Sequence, residues 1–286
     1  MKIRYLLFAI ILMGMTSSNT AFSRAEPDPL KPIPTLDYIY VGITAGYNAV
    51  IHSANLKTFA YNDLCPTFSH GNASGFHAGV FYEQFLGEIG TAHSIIIRGL
   101  YNTYPTDFSE MGDRQLSMIK DQSKPEDDPD YITNVWTTTG HKNSIKYNAT
   151  SIDLMYKFRF LNIADVGALI ATVGPTFDII LTKTRTQTMF LTDPPNVQFI
   201  ESALRPGQRY SADRRTLYAY DGDIEEASSL RIGMKAGLQV ELNIPGFPVQ
   251  LIPGVFYNYG LTDVNKQDWK VNAIQPSLDI RIPIGY

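Results

Sequence analysis

Eight stretches of this chain change solvent preference at every second residue, and that alternation is what most narrows the folds open to it. Between Ser144 and Phe160, the residues Ile152, Leu154, Tyr156, Phe158 and Phe160 stand against Ser151, Asp153, Met155, Lys157 and Arg159. Between Ser229 and Ile244, Leu230, Ile232, Met234, Ala236, Leu238, Val240 and Leu242 oppose Arg231, Lys235, Gln239 and Glu241. The terminal stretch, Ala273 to Tyr286, sets Ile274, Pro276, Leu278, Ile280, Ile282, Ile284 and Tyr286 against Gln275, Ser277, Asp279, Arg281, Pro283 and Gly285. Successive side chains of a strand point to opposite faces, so this period describes strands lying between two unlike environments. The other five segments are Tyr38 to Val50, Ser74 to Phe85, His93 to Tyr104, Val166 to Lys183 and Val249 to Leu261.

The connections alternate in length. Gly87 to Ala92, Leu161 to Asp165 and Pro245 to Pro248 are short, whereas Ile51 to Ala73, Pro105 to Asn143, Thr184 to Ser228 and Thr262 to Asn272 are long. In an up-and-down barrel every second connection lies at the same rim, so short turns gather at one end and long loops at the other, the pattern of outer-membrane barrels. The expected fold is therefore all-β: an eight-stranded antiparallel up-and-down transmembrane β-barrel with long extracellular loops, closed where the last strand meets the first. Only a closed sheet crosses a bilayer, because lipid offers no partner to an unpaired edge. No stretch beyond the N-terminal leader has the run of apolar residues a membrane-spanning helix needs.

Address labels agree with that fold. Lys2 and Arg4 precede an apolar run from Tyr5 to Met15, then small and polar residues to Ser23, which reads as a secretory signal peptide over residues 1–23 with cleavage after Ala21-Phe22-Ser23. Residues 24–37 carry four prolines and read as a short periplasmic tether, with the barrel from 38 to 286. Removing Lys2 and Arg4 takes the formal charge from −4 to −6, and no basic stripe appears, which argues against nucleic acid as a partner. Cys65 is the one cysteine, so no intramolecular disulfide and no cysteine-rich metal site is available.

Period alone does not orient the faces, since a soluble barrel also has two unlike ones. Taken with the leader, the apolar phase belongs against lipid and the charged phase inside. Arg98, Asp153, Lys157, Arg159, Arg231, Lys235, Glu241, Asp279 and Arg281 then fill the lumen, with both signs present for an ion-pair network. Tyr38, Tyr40, Phe158, Phe160 and Tyr286 at one rim, and Tyr47, Phe76, Tyr101, Tyr147, Tyr257 and Tyr259 at the other, fit aromatic girdles at the headgroup boundaries.

At Gly42 to Asn48, Gly75 to Glu83, Val173 to Phe177 and Asp279 to Tyr286 the chain resembles a generic outer-membrane β-barrel family, whose relatives are the PorT-like proteins and the N-terminal barrels of OmpA-like proteins. The resemblance covers 38–286 and rests on strand patterns. It implies that Ile280, Ile282, Ile284 and Tyr286 form a C-terminal signal for the barrel-assembly machinery. OmpA-like proteins continue into a peptidoglycan-binding domain that has no counterpart here, so cell-wall anchoring is not carried over, and no catalytic residue is implied.

Few residues suggest chemistry. His52, His70 and His141 fall in predicted loops, and His141 with Asp221 and Asp223 is the set a rim hydrolase acting on lipid A or peptides would use. His93 and Ser94 are adjacent and point to opposite faces. The acidic runs Glu126 to Asp130 and Asp221 to Glu226 match no full calcium-loop spacing. Arg205, Arg209, Arg214 and Arg215 could meet lipopolysaccharide phosphates. The expectation is a protein of the bacterial outer membrane with a structural or surface-interaction role and a side-chain-filled lumen. Its partners would be outer-membrane lipid and lipopolysaccharide, the assembly machinery, and an extracellular or periplasmic protein; no cofactor is expected. The alternatives are a narrow channel for ions or small solutes, a rim enzyme and a soluble periplasmic barrel.

Overall fold

A computed structural model describes residues 39–57, 67–86, 91–163, 167–200, 204, 206–244, 248–266 and 268–284. The leader, the proline-rich tether, Tyr38, Cys65, Arg205 and Tyr286 lie outside them. The described residues form thirteen strands. These are β1 (Ile39–Lys57), β2 (Thr67–Phe85), β3 (His93–Thr103), β4 (Thr106–Met111), β5 (Gln115–Asp121), β6 (Ile132–Ile163) and β7 (Gly167–Asp193), followed by β8 (Val197–Phe199), β9 (Arg209–Tyr210), β10 (Thr216–Asp223), β11 (Leu230–Asn243), β12 (Gln250–Gly260) and β13 (Lys270–Pro283).

Eight of them make a ring. Each of β1–β2, β2–β3, β3–β6, β6–β7, β7–β11, β11–β12, β12–β13 and β13–β1 is an antiparallel pair. The seam between the ends of the chain is fully in register, with Gly42 opposite Arg281, Thr44 opposite Asp279 and Gly46 opposite Ser277. A ring of eight antiparallel staves has no free edge, and it is an eight-stranded up-and-down barrel. Inside it the Phe81 ring lies where a Cβ on Gly42 would stand, so that close approach depends on glycine.

The outer wall is apolar where a water-soluble barrel would be polar. Ile43, Val80, Ile97, Leu154, Phe177, Leu238, Val255 and Leu278 all point outward and exposed, while Arg98, Asp153, Lys235 and Asp279 are buried within. No helix among the described residues is long and apolar enough to cross a membrane. The inverted wall is that of a transmembrane barrel, for an exterior belt of this kind is stable against hydrocarbon and not against water.

The long segments expected to be loops are largely sheet, which corrects the sequence reading. β1 and β2 run on to Lys57 and back from Thr67, β6 reaches 32 residues and β7 reaches 27, and β4, β5, β8, β9 and β10 pair onto them. The reason is visible along β6. Toward the short-turn rim the outward residues are Ile152, Leu154, Tyr156 and Phe158; beyond Ser151 they become Thr150, Asn148, Lys146 and Ser144. Inward, Asp153 and Lys157 give way to Ala149, Tyr147 and Ile145. The strand keeps its parity while its hydrophobic phase inverts. β13 does the same, from buried Gln275, Ser277, Asp279 and Arg281 to buried Ala273 and Val271. The inversion marks where the solvent outside changes from lipid to water, and an alternation read as one continuous phase ends there.

Two girdle assignments are corrected as well. Tyr147 is fully buried inside, and Tyr40 points inward at the short-turn mouth, its ring against the Arg281 guanidinium and beside Phe85. Tyr47, Phe76, Tyr101, Phe158, Phe160, Tyr257 and Tyr259 do face outward.

Candidate functional site

The lumen is filled in two levels of opposite character. Level with the apolar belt, six cations meet five carboxylates. Arg98 donates to Asp279 at 2.6 Å, Lys235 to Asp153 at 2.6 Å and Lys157 to Glu83 at 3.1 Å, while Arg231 is paired with Asp178. Arg281 bridges Glu83 at 2.6 Å and Glu241 at 2.7 Å, and Arg159 at the mouth donates to Glu241 at 2.7 Å. Neutral amides complete the layer: Gln239 donates to Asp279 at 2.8 Å, and Gln275 donates to Asn48 at 2.7 Å. Aromatic rings cover the guanidinium faces, Phe256 that of Arg98 and Tyr104 that of Arg231. Each charge thus has an opposite charge in contact, and deleting one leaves the other stranded at about 3–5 kcal/mol.

All nine residues expected in the lumen face it; eight are buried, and Arg159 remains partly exposed at the mouth. Two partners escaped the sequence reading, Glu83 and Asp178. Both occupy the inward phase of strands that were placed, opposite outward Tyr82 and Phe177, so parity was the signal that would have found them. Of the terminal residues, Ile282 and Ile284 face outward and exposed and Ile280 is half-buried.

Above the belt the filling is apolar. Val50, Leu56, Phe68, Tyr104, Phe108, Ile145, Tyr147, Ile224, Val264, Trp269 and Val271 form one buried cluster. The segment between β12 and β13 turns Val264 and Trp269 into it, held by one backbone bond from the Val264 N–H to the Trp269 carbonyl and another from the Ser228 N–H to the Val264 carbonyl. Trp269 Nε1 donates to His52 Nδ1 at 2.9 Å, and the Phe108 ring lies edge-on to both. Burial pushes the His52 imidazole down to about 3, with the Arg231 charge lowering it further against a backbone contact at Tyr104, so it is neutral at ordinary pH.

The histidines expected in loops sit on strands: His52 and His70 on β1 and β2, His141 on β6. His141 is buried, with Nε2 3.2 Å from the Thr139 hydroxyl, and burial lowers its pKa. Asp221 is not its partner. Asp221 accepts from Thr186 on the outer face and pairs with Arg209, whereas His141 points into the barrel. His93 stacks outward on Phe158 while Ser94 donates inward to Glu83, on opposite faces as their adjacency demands. Among the described residues no group of three or more His, Cys, Asp or Glu is placed to hold a metal ion. The arginine cluster is dispersed. Arg215 donates to the carbonyls of Leu191, Pro194, Pro195 and Val197 and so pins the chain between β7 and β8, and Arg209 lies over Tyr218 beside Asp221.

No protein-family model matches this chain and no curated protein matches it. Among solved structures it is similar to Ail, the attachment invasion locus protein of Yersinia pestis in complex with the heparin analogue sucrose octasulfate, at 13% identity and a TM-score of 0.32 over 85% of this chain and 99% of that one. Neisserial surface protein A is similar at 13% identity and a TM-score of 0.34, over 86% and 97% of the two chains. The translocator domain of the autotransporter NalP from Neisseria meningitidis is similar at 9% identity and 0.28, over 87% and 90%. At such scores these likenesses carry no weight for function, and the ring of eight rests on the register of this chain's own strands.

Proposed function

We propose that this chain is a bacterial outer-membrane barrel with a structural or surface-interaction role, not an enzyme, and that its work is done by the sheet beyond the lipid belt. The observation that carries this reading is the filled lumen: ion pairs occupy it at the level of the belt and the Trp269 cluster fills it above. An eight-stranded barrel has an interior that side chains alone can fill. Support for the outer membrane comes from the apolar belt, the leader pattern and the terminal strand, with the long strands outside the cell and lipopolysaccharide around the outer leaflet. Ile280, Ile282, Ile284 and Tyr286 serve as the signal to the assembly machinery. Reconstitution in planar bilayers tests the filled lumen: a silent barrel is expected, and steady openings of the unaltered chain overturn the reading. Proteolysis of intact cells tests the orientation, with cleavage expected in 122–131 and not at the short turns.

One observation favours a narrow channel instead. Thr44 Oγ1, Ser277 Oγ, Asp279 Oδ1, Asp153 Oδ1 and Arg98 Nε are buried without a protein partner, and ordered water is the usual partner of such groups. In that reading the unaltered chain itself gives steady openings, and Trp269→Ala enlarges them because the apolar level is the constriction.

A further inference from the structure

The distal sheet has a second apolar face that stands exposed among the described residues. β5 and β6 pair with Leu116 opposite Trp136, Met118 opposite Asn134 and Lys120 opposite Ile132, which puts these side chains on one face. The other face is accounted for: Ile119, Leu191 and Val197 make a small core there with Val135 and Phe199 against it. On the outward face Leu116 is 56% exposed, Met118 61%, Trp136 53% and Ile132 49%. A Trp, Leu, Met and Ile together on one exposed face is the composition of a binding surface, and such patches on soluble surfaces are rare without a partner.

The occupant can be narrowed by position and charge. The phase inversion on β6 falls at Thr150, and Trp136 is fourteen residues beyond it, which at about 3.3 Å per residue is roughly 45 Å along the strand. The barrel's own bilayer does not reach that far. The adjoining tip is acidic: between Asp113 and Tyr131 lie Asp113, Asp121, Glu126, Asp127, Asp128 and Asp130 against Arg114, Lys120 and Lys124. Lys124 is engaged with Asp130 and Lys120 lies over the Tyr131 ring. Two copies meeting tip to tip would repel, and so would an anionic lipid surface.

We infer that the outward face of β5 and β6, at Leu116, Met118, Ile132 and Trp136, docks a protein segment that is amphipathic and cationic, its apolar side chains against Trp136 and its Lys or Arg residues against the acidic tip. The inference rests on the surface-interaction reading and names the chemistry of its partner. Aromatic and aliphatic anchors supply the contact, and the carboxylates steer the encounter and reject acidic competitors.

The test uses the full chain in phosphatidylcholine nanodiscs. Trp136 and Trp269 are the two tryptophans, and Trp269 is fully buried, so the difference in emission between the unaltered chain and Trp136→Phe reports the patch. The expected result is a saturable blue shift with a synthetic Leu/Lys amphipathic peptide, absent in Leu116→Ser/Met118→Ser. The shift should weaken as salt is raised and weaken about tenfold in Glu126→Gln/Asp127→Asn/Asp128→Asn/Asp130→Asn. The inference is overturned by no saturable shift, by an undiminished shift in the Ser variant, or by an equal response to a Leu/Glu peptide. A shift given by anionic vesicles, or by protein concentration alone, also overturns it and assigns the face to lipid or to a second copy. Conductance of the same purified chain in planar bilayers keeps the two claims apart, since openings would sink the closed-barrel reading and leave the peptide result standing.

Discussion

The two levels of the lumen are filled with opposite chemistry. Beside the lipid belt the interior is ionic, with Arg98, Arg231, Lys235 and Arg281 buried among carboxylates; above it the interior is apolar around Trp269. The cause is outside the barrel. Where lipid faces the wall, apolar side chains must point out, and an apolar interior as well would leave both phases of every strand alike. A one-residue slip would then cost little, because register is held by the difference between the faces. Charges inside restore that difference and tie particular strands together, Arg98 on β3 to Asp279 on β13 and Lys235 on β11 to Asp153 on β6. Where water faces the wall, polar residues such as Thr150 and Lys146 point out and the ordinary arrangement with an apolar core returns.

The contrast can be broken at its strongest point first. Asp178→Ala strands Arg231 in the ionic level and should cost about 3–5 kcal/mol, read as a lower urea midpoint for the folded, heat-modifiable band; a midpoint within error of the parent would mean that the pair is hydrated. Leu154→Arg should cost about 2–4 kcal/mol because it faces mid-membrane, whereas Asn148→Arg on the same face of β6 should be nearly neutral. Equal effects would misplace the inversion at Thr150.

The apolar level carries the pH signature. His52 is held neutral in the fold, so its folded pKa lies below the unfolded one. Its stabilising contribution is complete above the unfolded value of about 6.5 and is lost as pH falls from there toward about 3, where protonation places a charge in the buried cluster. The slope should approach about 1.4 kcal/mol per pH unit within that window, and His52→Gln should flatten it; an unchanged slope would assign the effect elsewhere. At the exposed wall, Asp107→Ala removes the 3.3 Å contact with Lys142 between half-exposed side chains and should cost under about 1 kcal/mol, read from the urea midpoint.

Reading the sequence located every stave of the ring, because the segments around Ile152 and Leu278 alternate without interruption inside the belt. It stopped short at Val50, Ser144 and Lys183, where the strands in fact continue to Lys57, Ile132 and Asp193. The hydrophobic phase inverts on the way to those points, and past Ser144 it lapses, with Asn143, His141, Thr139 and Thr137 buried while Trp136 and Ile132 are exposed, so a single-phase template reports the end of a strand. Tyr40 and Tyr147 were assigned by type and nearness to a rim, and their parity, which sends both inward, was the better guide. His141 shows the limit from the other side: neither its burial nor its separation from Asp221 by the thickness of the sheet can be read from spacing.

The sequence by itself determined the alternation, the strand parity and hence which side chains share a face, because those follow from the geometry of one extended chain. Which charges pair across the lumen, where Trp269 seats against His52, and which apolar face remains uncovered at Leu116 and Trp136 were decided only by tertiary structure. The reason is physical: parity is local to a strand, but Arg98 reaches Asp279 and Trp269 reaches His52 only once the ring has closed and brought residues far apart in sequence around a common axis.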